Sequence, residues 1–127
     1  MAFDWNDFLT LASVLAPQRN EASKRTAISR AYYCVFNLAY VRAESKVGRR
    51  PQGERSHSWC WEQYQRTPDV TCAQLGIAGD RLKRMRTRAD YNSLPIPRLD
   101  DQVERVLKDA RKFLGDLASL DARYPHP

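Results

Sequence analysis

Residues 25–40 read RTAISRAYYCVFNLAY and form the middle of a segment that we expect to be helical from Asn20 to about Lys46. Their apolar side chains fall into two rows with helical spacing. One row comprises Ile28, Ala31, Tyr32, Val35, Leu38 and Ala39, and the other comprises Tyr33, Phe36 and Tyr40. A helix with two apolar rows is covered by neighbouring elements on more than one side. This segment therefore predicts the central spine of a helical bundle.

Two shorter helices flank the spine in the sequence. Asp4 is the expected N-cap of a first helix, which ends at Pro17 because a residue before proline is disfavoured in the helical conformation. Residues 47–56 contain glycine, proline and three arginines, which predicts a polar loop. Ser56 is the expected cap of a third helix, which stops at Pro68.

Residues 69–80 contain two glycines and are predicted to form a short turn or a helical turn, after which Asp80 caps a basic helix. Two prolines make residues 92–98 extended, with Leu94 and Ile96 as the expected anchors to the bundle. The last helix starts near Asp100 and is strongly amphipathic.

These elements predict an all-α fold, a single up-and-down bundle of four to five helices with one long central helix. One domain is expected to span residues 1–127, with a core at about 4–121 and a frayed tail at 122–127. The second and last helices are expected to pack antiparallel, with Leu114 of the last helix buried between them.

The composition of the chain favours a polyanionic partner. The 127 residues carry a net charge of +6, and the stretch from Asp80 to Asp90 alone contributes +3. Such concentrated positive charge is typical of proteins that bind nucleic acid. Three cysteines without CxxC spacing and only two histidines predict reduced thiols, no metal site and no cofactor. The absence of a signal peptide and of a long apolar run predicts a cytoplasmic protein without membrane contact.

The basic helix Leu82–Tyr91 reads LKRMRTRADY. Helical spacing places its cations in separate rows, and the expected phosphate-binding residues are Arg81, Lys83, Arg84, Arg86 and Arg88. A charged row of this kind is also typical of a solvated surface. Arg86 and Asp90 form an i, i+4 pair. Arg30 lies among aromatic residues and needs a partner, so we also predict an interhelical Arg30–Asp90 salt bridge.

The segments RTAISRAYYCVFNLA (25–39) and GDRLKRMRTRADYN (79–92) together resemble the HEPN superfamily, the higher-eukaryote and prokaryote nucleotide-binding domains. The chain is most similar to a bacterial branch with an S-R-x-Y-Y-x-x-F helix, a His followed by a Trp after the loop, and an R-x-x-A-D-Y-like segment. The resemblance covers roughly residues 20–115.

The resemblance implies an all-α domain and a homodimer whose motif helices line a basic groove. It also implies an RNA or nucleotide ligand and a role in a bacterial toxin–antitoxin or antiphage defence system. Many members are metal-independent endoribonucleases. Others bind RNA or nucleotides without cleaving them, or act as partners of nucleotidyltransferases or as subunits of defence complexes.

The chain departs from the nuclease pattern, in which an arginine is followed after a few residues by a histidine. No histidine follows Arg86 or Arg88 before His126, and Tyr91 lies five positions after Arg86. The candidate catalytic residues are therefore Arg88 and Arg86 for phosphate charge, with His57, Tyr91 or Asp90 as the proton carrier. Three function classes stay open: an endoribonuclease, a non-catalytic module that binds RNA, a nucleotide or a protein partner, and a protein-only scaffold within an operon complex. Asp90 and Tyr91 also have a purely structural interpretation, and His57 can equally be an exposed first-turn residue.

Overall fold

The computed structural model describes residues 2–123, and over this range the chain is all-α, which confirms the predicted fold class. The bundle has five helices: α1 (Asn6–Leu15), α2 (Glu21–Val47), α3 (Ser56–Gln65), α4 (Val70–Tyr91) and α5 (Leu99–Arg123). The core is centred on large side chains from α2, α3 and α5, including Tyr32, Trp61, Tyr64 and Phe113. Residues 122 and 123 continue α5, whereas the rest of the tail predicted to be frayed, 124–127, lies outside the described residues.

The long helix α2 has the bounds that its sequence predicts. The Asn20 side chain caps it by accepting a hydrogen bond of 2.7 Å from the backbone N–H of Ser23. At α1 the Asp4 carboxylate accepts from the backbone N–H of Asn6, although Trp5 occupies the N-cap position. Ser56 is the first residue of α3 and makes no capping hydrogen bond there, so this part of the prediction is wrong.

Helix α4 is much longer than expected, because residues 70–80 form continuous helix with the basic segment and not a separate short turn or helical turn. Asp69 caps α4 by accepting from the backbone N–H of Cys72 at 2.9 Å. Asp80, the predicted cap, lies inside the helix and pairs with Arg84 at 2.9 Å. This helical position requires glycine at residue 79, because the Trp61 ring occupies the place where a Cβ would lie. The glycine thus serves close packing of α3 on α4, which a turn prediction overlooks.

Helices α2 and α5 run in the same direction, so the antiparallel prediction is wrong. Near their first turns Lys24 Nζ lies 3.1 Å from Asp100 Oδ1. Near their last turns Arg42 forms an ion pair with Asp121. Start meets start and end meets end, which requires parallel axes. Leu114 of α5 is half-buried.

The loop 48–55 crosses back along α2, which departs from a strict up-and-down order. Arg50 Nε donates to the Tyr40 hydroxyl at 3.1 Å, and the Arg50 backbone N–H donates to Glu44 at 3.2 Å. Helix α3 starts beside the middle of α2, where His57 stacks on Phe36, and it runs in the same direction, since Tyr64 near its end donates to the Ala39 carbonyl. This crossover carries His57 back to the centre of the bundle.

Only one of the two apolar anchors predicted for segment 92–98 is buried, and an arginine of α2 supplies the other contacts of the segment. Ile96 is buried, but Leu94 is 69% exposed. The Arg25 guanidinium donates to the backbone carbonyls of Ala89, Asn92 and Leu94. These bonds fix the end of α4 against the start of α2.

Candidate functional site

The imidazole of His57 lies between α2, α3 and α4. It stacks on the Phe36 ring with centroids 4.0 Å apart and an interplanar angle of 12°. Its Nδ1 atom lies 2.6 Å from the Tyr32 hydroxyl oxygen. The crossover of loop 48–55 and the cap region of α3 place it there. His57 is thus a half-buried member of a network and not an exposed first-turn residue.

The direction of the hydrogen bonds around Tyr32 sets the tautomer of His57. The Trp61 indole Nε1–H donates to the Tyr32 hydroxyl oxygen at 3.2 Å. An indole N–H is a donor only, so the hydroxyl accepts from Trp61 and its own proton is free to go to His57 Nδ1. No other acceptor for that proton exists among residues 2–123. Satisfying each polar group therefore assigns the proton of neutral His57 to Nε2.

Burial and two cations keep His57 neutral. Burial is the largest cause that lowers the pKa of His57, and the charges of Arg86 and Lys83 lower it further, to about 4. Burial also raises the pKa of Tyr32 well above its ordinary value. At neutral pH the hydrogen-bonded chain Trp61–Tyr32–His57, which we call the relay, therefore contains a neutral phenol and a neutral imidazole. The positive charge of the site comes from the cations of α4.

Arg86 is the buried cation of the site, with 7% of its surface exposed. Its guanidinium lies 5.4 Å from the centroid of the Tyr32 ring and 5.3 Å from that of the Tyr33 ring. One terminal nitrogen is 3.9 Å from Asp90 Oδ2, which is a long ion pair. Its Nε makes no hydrogen bond to any residue in the range 2–123. A buried donor without a partner is rare and costly.

The predicted Arg30–Asp90 salt bridge is wrong. Arg30 lies over the Phe8 ring at 4.6 Å and over the Tyr33 ring at 5.1 Å, so aromatic faces provide its environment. Asp90 instead accepts from the Ser29 hydroxyl at 3.2 Å and forms the long pair with Arg86. The sequence favoured Arg30 because it lies among aromatic and apolar residues of α2, but cation–π contacts and a long hydrogen bond of 3.5 Å to the Ser29 hydroxyl provide its partners.

We call His57, Lys83 and Arg86 the basic cluster. Arg86 lies over the Tyr32 ring on which His57 stacks, and Lys83 is near enough for its charge to act on the imidazole. Asp90 lies at one edge of this cluster. Arg81 and Arg88 lie on the opposite side of α4, where both line a groove against α5. Residues 81 and 88 share one helical face, whereas 83 and 86 are roughly half a turn away from it.

The remaining predicted residues lie outside the basic cluster. Arg84 is exposed and pairs with Asp80. Tyr91 is 75% exposed and has no hydrogen bond from its hydroxyl to any of residues 2–123. Arg88 and Tyr91 therefore do not join His57 in one site, contrary to the expectation that they act together.

Sequence reasoning missed Tyr32, Tyr33 and Trp61 as members of the site. Their helical spacing marks them as core residues, and Tyr32 and Trp61 are indeed almost completely buried. The phenol and indole groups could have indicated a buried polar network, because a buried phenol or indole usually has a hydrogen-bond partner. That signal does not name the partner, which lies on another helix.

The chemistry open to the basic cluster is anion binding. Nε2–H of His57 can donate a hydrogen bond, and Lys83 and Arg86 supply positive charge. An imidazole protonated at Nε2 and occupied at Nδ1 cannot accept a proton without reorganising its bond to Tyr32. A cavity of about 620 Å³ lies near Arg42 and Cys72, away from this network. We place the candidate site at His57 because the charges of two α4 cations act on the imidazole there.

No family model matches the chain, and neither the curated proteins nor the solved structures include a significant match to it. Within residues 2–123 no three His, Cys, Asp or Glu side chains are arranged to hold a metal ion. None of the helices in this range combines the length and apolar composition needed to span a bilayer. The three cysteines are free thiols.

Proposed function

We propose that the chain is an HEPN-like, RNA-directed protein of a bacterial toxin–antitoxin or antiphage defence system, acting in the cytoplasm. The observation that carries the proposal is that Arg86 lies over the Tyr32 ring on which His57 stacks, and that the charges of Arg86 and Lys83 both act on the imidazole. Such a site offers charge and directed donors to a phosphate group. The proposal includes a homodimer and a protein partner, either a nucleotidyltransferase antitoxin or another defence-complex subunit.

The geometry favours RNA binding without cleavage. A pKa of about 4 makes His57 a weak base and leaves too little imidazolium at pH 7 for an efficient acid. The tautomer points to the same conclusion. Nε2, the ring nitrogen that is not bound to Tyr32, already carries a proton and cannot act as a base.

Metal-independent endoribonuclease activity is the second candidate. It is favoured by the approach of Arg86 to His57 from a separate helix, because a guanidinium can stabilise the charge of a pentacoordinate phosphate. Asp90 is the other titratable group at the edge of the cluster.

The two candidates are separated by incubating the purified protein with total and transfer RNA in EDTA, and by measuring binding to the same RNA. We expect wild-type protein to bind RNA and His57→Gln and Lys83→Gln to bind roughly three- to tenfold more weakly, the effect of losing one phosphate contact. Arg49→Gln is the charge-matched control for Lys83→Gln, because it likewise removes one positive charge, from the loop 48–55.

Absence of RNA binding by wild-type protein at low salt would contradict the RNA-directed function. Cleavage in EDTA that disappears in His57→Gln would establish the nuclease candidate instead. Equal binding by Lys83→Gln and Arg49→Gln would remove the basic cluster from the interface.

A further inference from the structure

The surface between α4 and α5 contains a groove of about 300 Å³, separate from the basic cluster. Arg81 and Arg88 line it from α4, and Arg105 lines it from α5. We propose that this α4–α5 groove binds the phosphodiester backbone of a single-stranded RNA. The inference rests on the proposed function, to which it adds a second site and the form of the RNA.

The cations of the groove are not used by the fold. Neither Arg81, Arg88 nor Arg105 has a carboxylate within ion-pair distance among residues 2–123, although seven ion pairs form elsewhere in that range. Arg84, their neighbour on α4, is neutralised by Asp80. Three guanidinium groups thus face one carboxylate in the groove, that of Asp109. Unpaired like charges brought to one surface repel each other, and a polyanion removes that repulsion.

The shape of the groove favours a polymer backbone over a bulky side chain or a base. Arg81 and Arg88 are two turns apart, about 10 Å along the helix axis. The apolar floor between them consists of Leu82 and Val106, which are almost completely buried, and the half-buried Met85. No aromatic side chain lines the groove, so it lacks the stacking surface that holds unpaired bases. The contacts are therefore mainly to phosphates and carry little sequence preference.

The position of the groove relates it to the basic cluster. The two surfaces occupy opposite sides of α4, so a strand in the groove does not block His57. Arg88, which the sequence offered as a catalytic residue, becomes part of a track for the RNA backbone.

The test is fluorescence anisotropy of a labelled oligouridine of about 12 nucleotides, a length in the range of single-strand sites. The groove variant Arg81→Glu/Arg88→Glu/Arg105→Glu is compared with the control Arg19→Glu/Arg49→Glu/Arg66→Glu. Both variants change the net charge equally, and all three control positions are exposed. Circular dichroism verifies that each variant is helical, and single Arg105→Gln and Arg49→Gln variants replace the triples if either triple unfolds.

We expect the groove variant to bind about tenfold or more weakly than the control. The slope of log K against the logarithm of the salt concentration should become less steep by about 2, or roughly 0.7 for each lost phosphate contact. His57→Gln should leave this slope unchanged. Equal binding by groove and control variants would overturn the groove while leaving RNA binding intact. Displacement of the RNA by an acidic peptide at lower concentration than by unlabelled oligouridine would overturn RNA as the occupant. No binding by wild-type protein would instead count against the RNA-directed function itself.

Discussion

His57 shows how strongly one residue depends on side chains from other helices. Its ring is stacked on Phe36, its Nδ1 is bound by Tyr32, and its charge state is controlled by Arg86 and Lys83. Burial and both cations act in the same direction, against protonation. The neutral form is therefore the one that fits the folded bundle.

This preference makes the stability of the protein depend on pH. The pKa of His57 is about 4 in the folded chain against 6.5 for the free side chain, so between these values the unfolded state binds more protons. The contribution is fully present above about pH 6.5 and is lost as the pH falls towards 4. Solvent screens part of the effect, so we expect wild-type protein to lose about 1–2 kcal/mol more than His57→Gln between neutral pH and pH 4.5. Urea unfolding at both pH values measures this difference, and parallel pH profiles would contradict it.

Tyr32 is expected to contribute through its hydroxyl as well as through its ring. Tyr32→Phe leaves the Trp61 N–H and the His57 Nδ1 without a partner, which should cost about 1–3 kcal/mol of the free energy of unfolding. Tyr33→Phe is the matched control, since the Tyr33 hydroxyl makes no hydrogen bond with residues 2–123 and its loss should change stability by less than about 0.5 kcal/mol. Chemical denaturation of the two variants is the measurement. Similar values for both would show that the relay does not stabilise the fold.

Helix α4 serves three neighbours with different faces. Its N-terminal half packs on α3 through glycines, its buried face carries Arg86 towards α2, and the opposite face lines the groove with α5. A single helix can do this only because its cationic residues are distributed around the axis. The positive charge that is concentrated in the sequence is thereby divided between two surfaces.

The close packing of α3 on α4 predicts opposite effects for two glycine substitutions. The methyl group of Gly79→Ala would overlap the Trp61 ring, whose carbon atoms occupy the place of the added Cβ. The substitution should therefore destabilise the protein by about 1–3 kcal/mol. Gly115→Ala, in open space on α5, should stabilise it by about 0.5–1 kcal/mol through helix propensity. Thermal unfolding of both variants provides the comparison. Stabilisation by Gly79→Ala would mean that α3 lies farther from α4 than described.

For the molecule as a whole, the arrangement of helix directions follows from one crossover. Loop 48–55 returns along α2, so α3 starts beside the middle of α2, and α4 then runs back past both. Helix α5 follows α4 through a short connection and therefore lies parallel to α2. This order brings His57, Tyr32 and Arg86 to one place although they lie far apart in the chain.

The parallel order of α2 and α5 can be tested by energetic coupling. Arg42 and Asp121 form an ion pair at the ends of both helices, and a double-mutant cycle with alanine should give a coupling of about 0.5–1 kcal/mol. The same cycle between Arg42 and Asp100 should be additive within about 0.5 kcal/mol, because Asp100 lies at the other end of the bundle and pairs with Lys24. Coupling of Arg42 to Asp100 but not to Asp121 would indicate the antiparallel arrangement.

The sequence by itself determined the local features of this protein. The bounds of α2, the start of α5, the all-α class and the positive charge of residues 81–88 follow from spacing, caps and composition, which act between near neighbours in the chain. A continuous helix through residues 70–80 did not follow, because glycine is a poor helix former and the close approach of α3 that accounts for Gly76 and Gly79 comes from another helix.

Only the tertiary structure decided the partners and the sites. Arg30 and Arg86 are both cations near tyrosines in the fold, yet one is satisfied by aromatic faces and the other retains an unpartnered N–H. Likewise, the separation of Arg88 from His57 depends on which face of α4 meets α2 and which meets α5. Helical periodicity specifies that two residues lie on different faces, but the packing of the neighbouring helices assigns each face its surroundings.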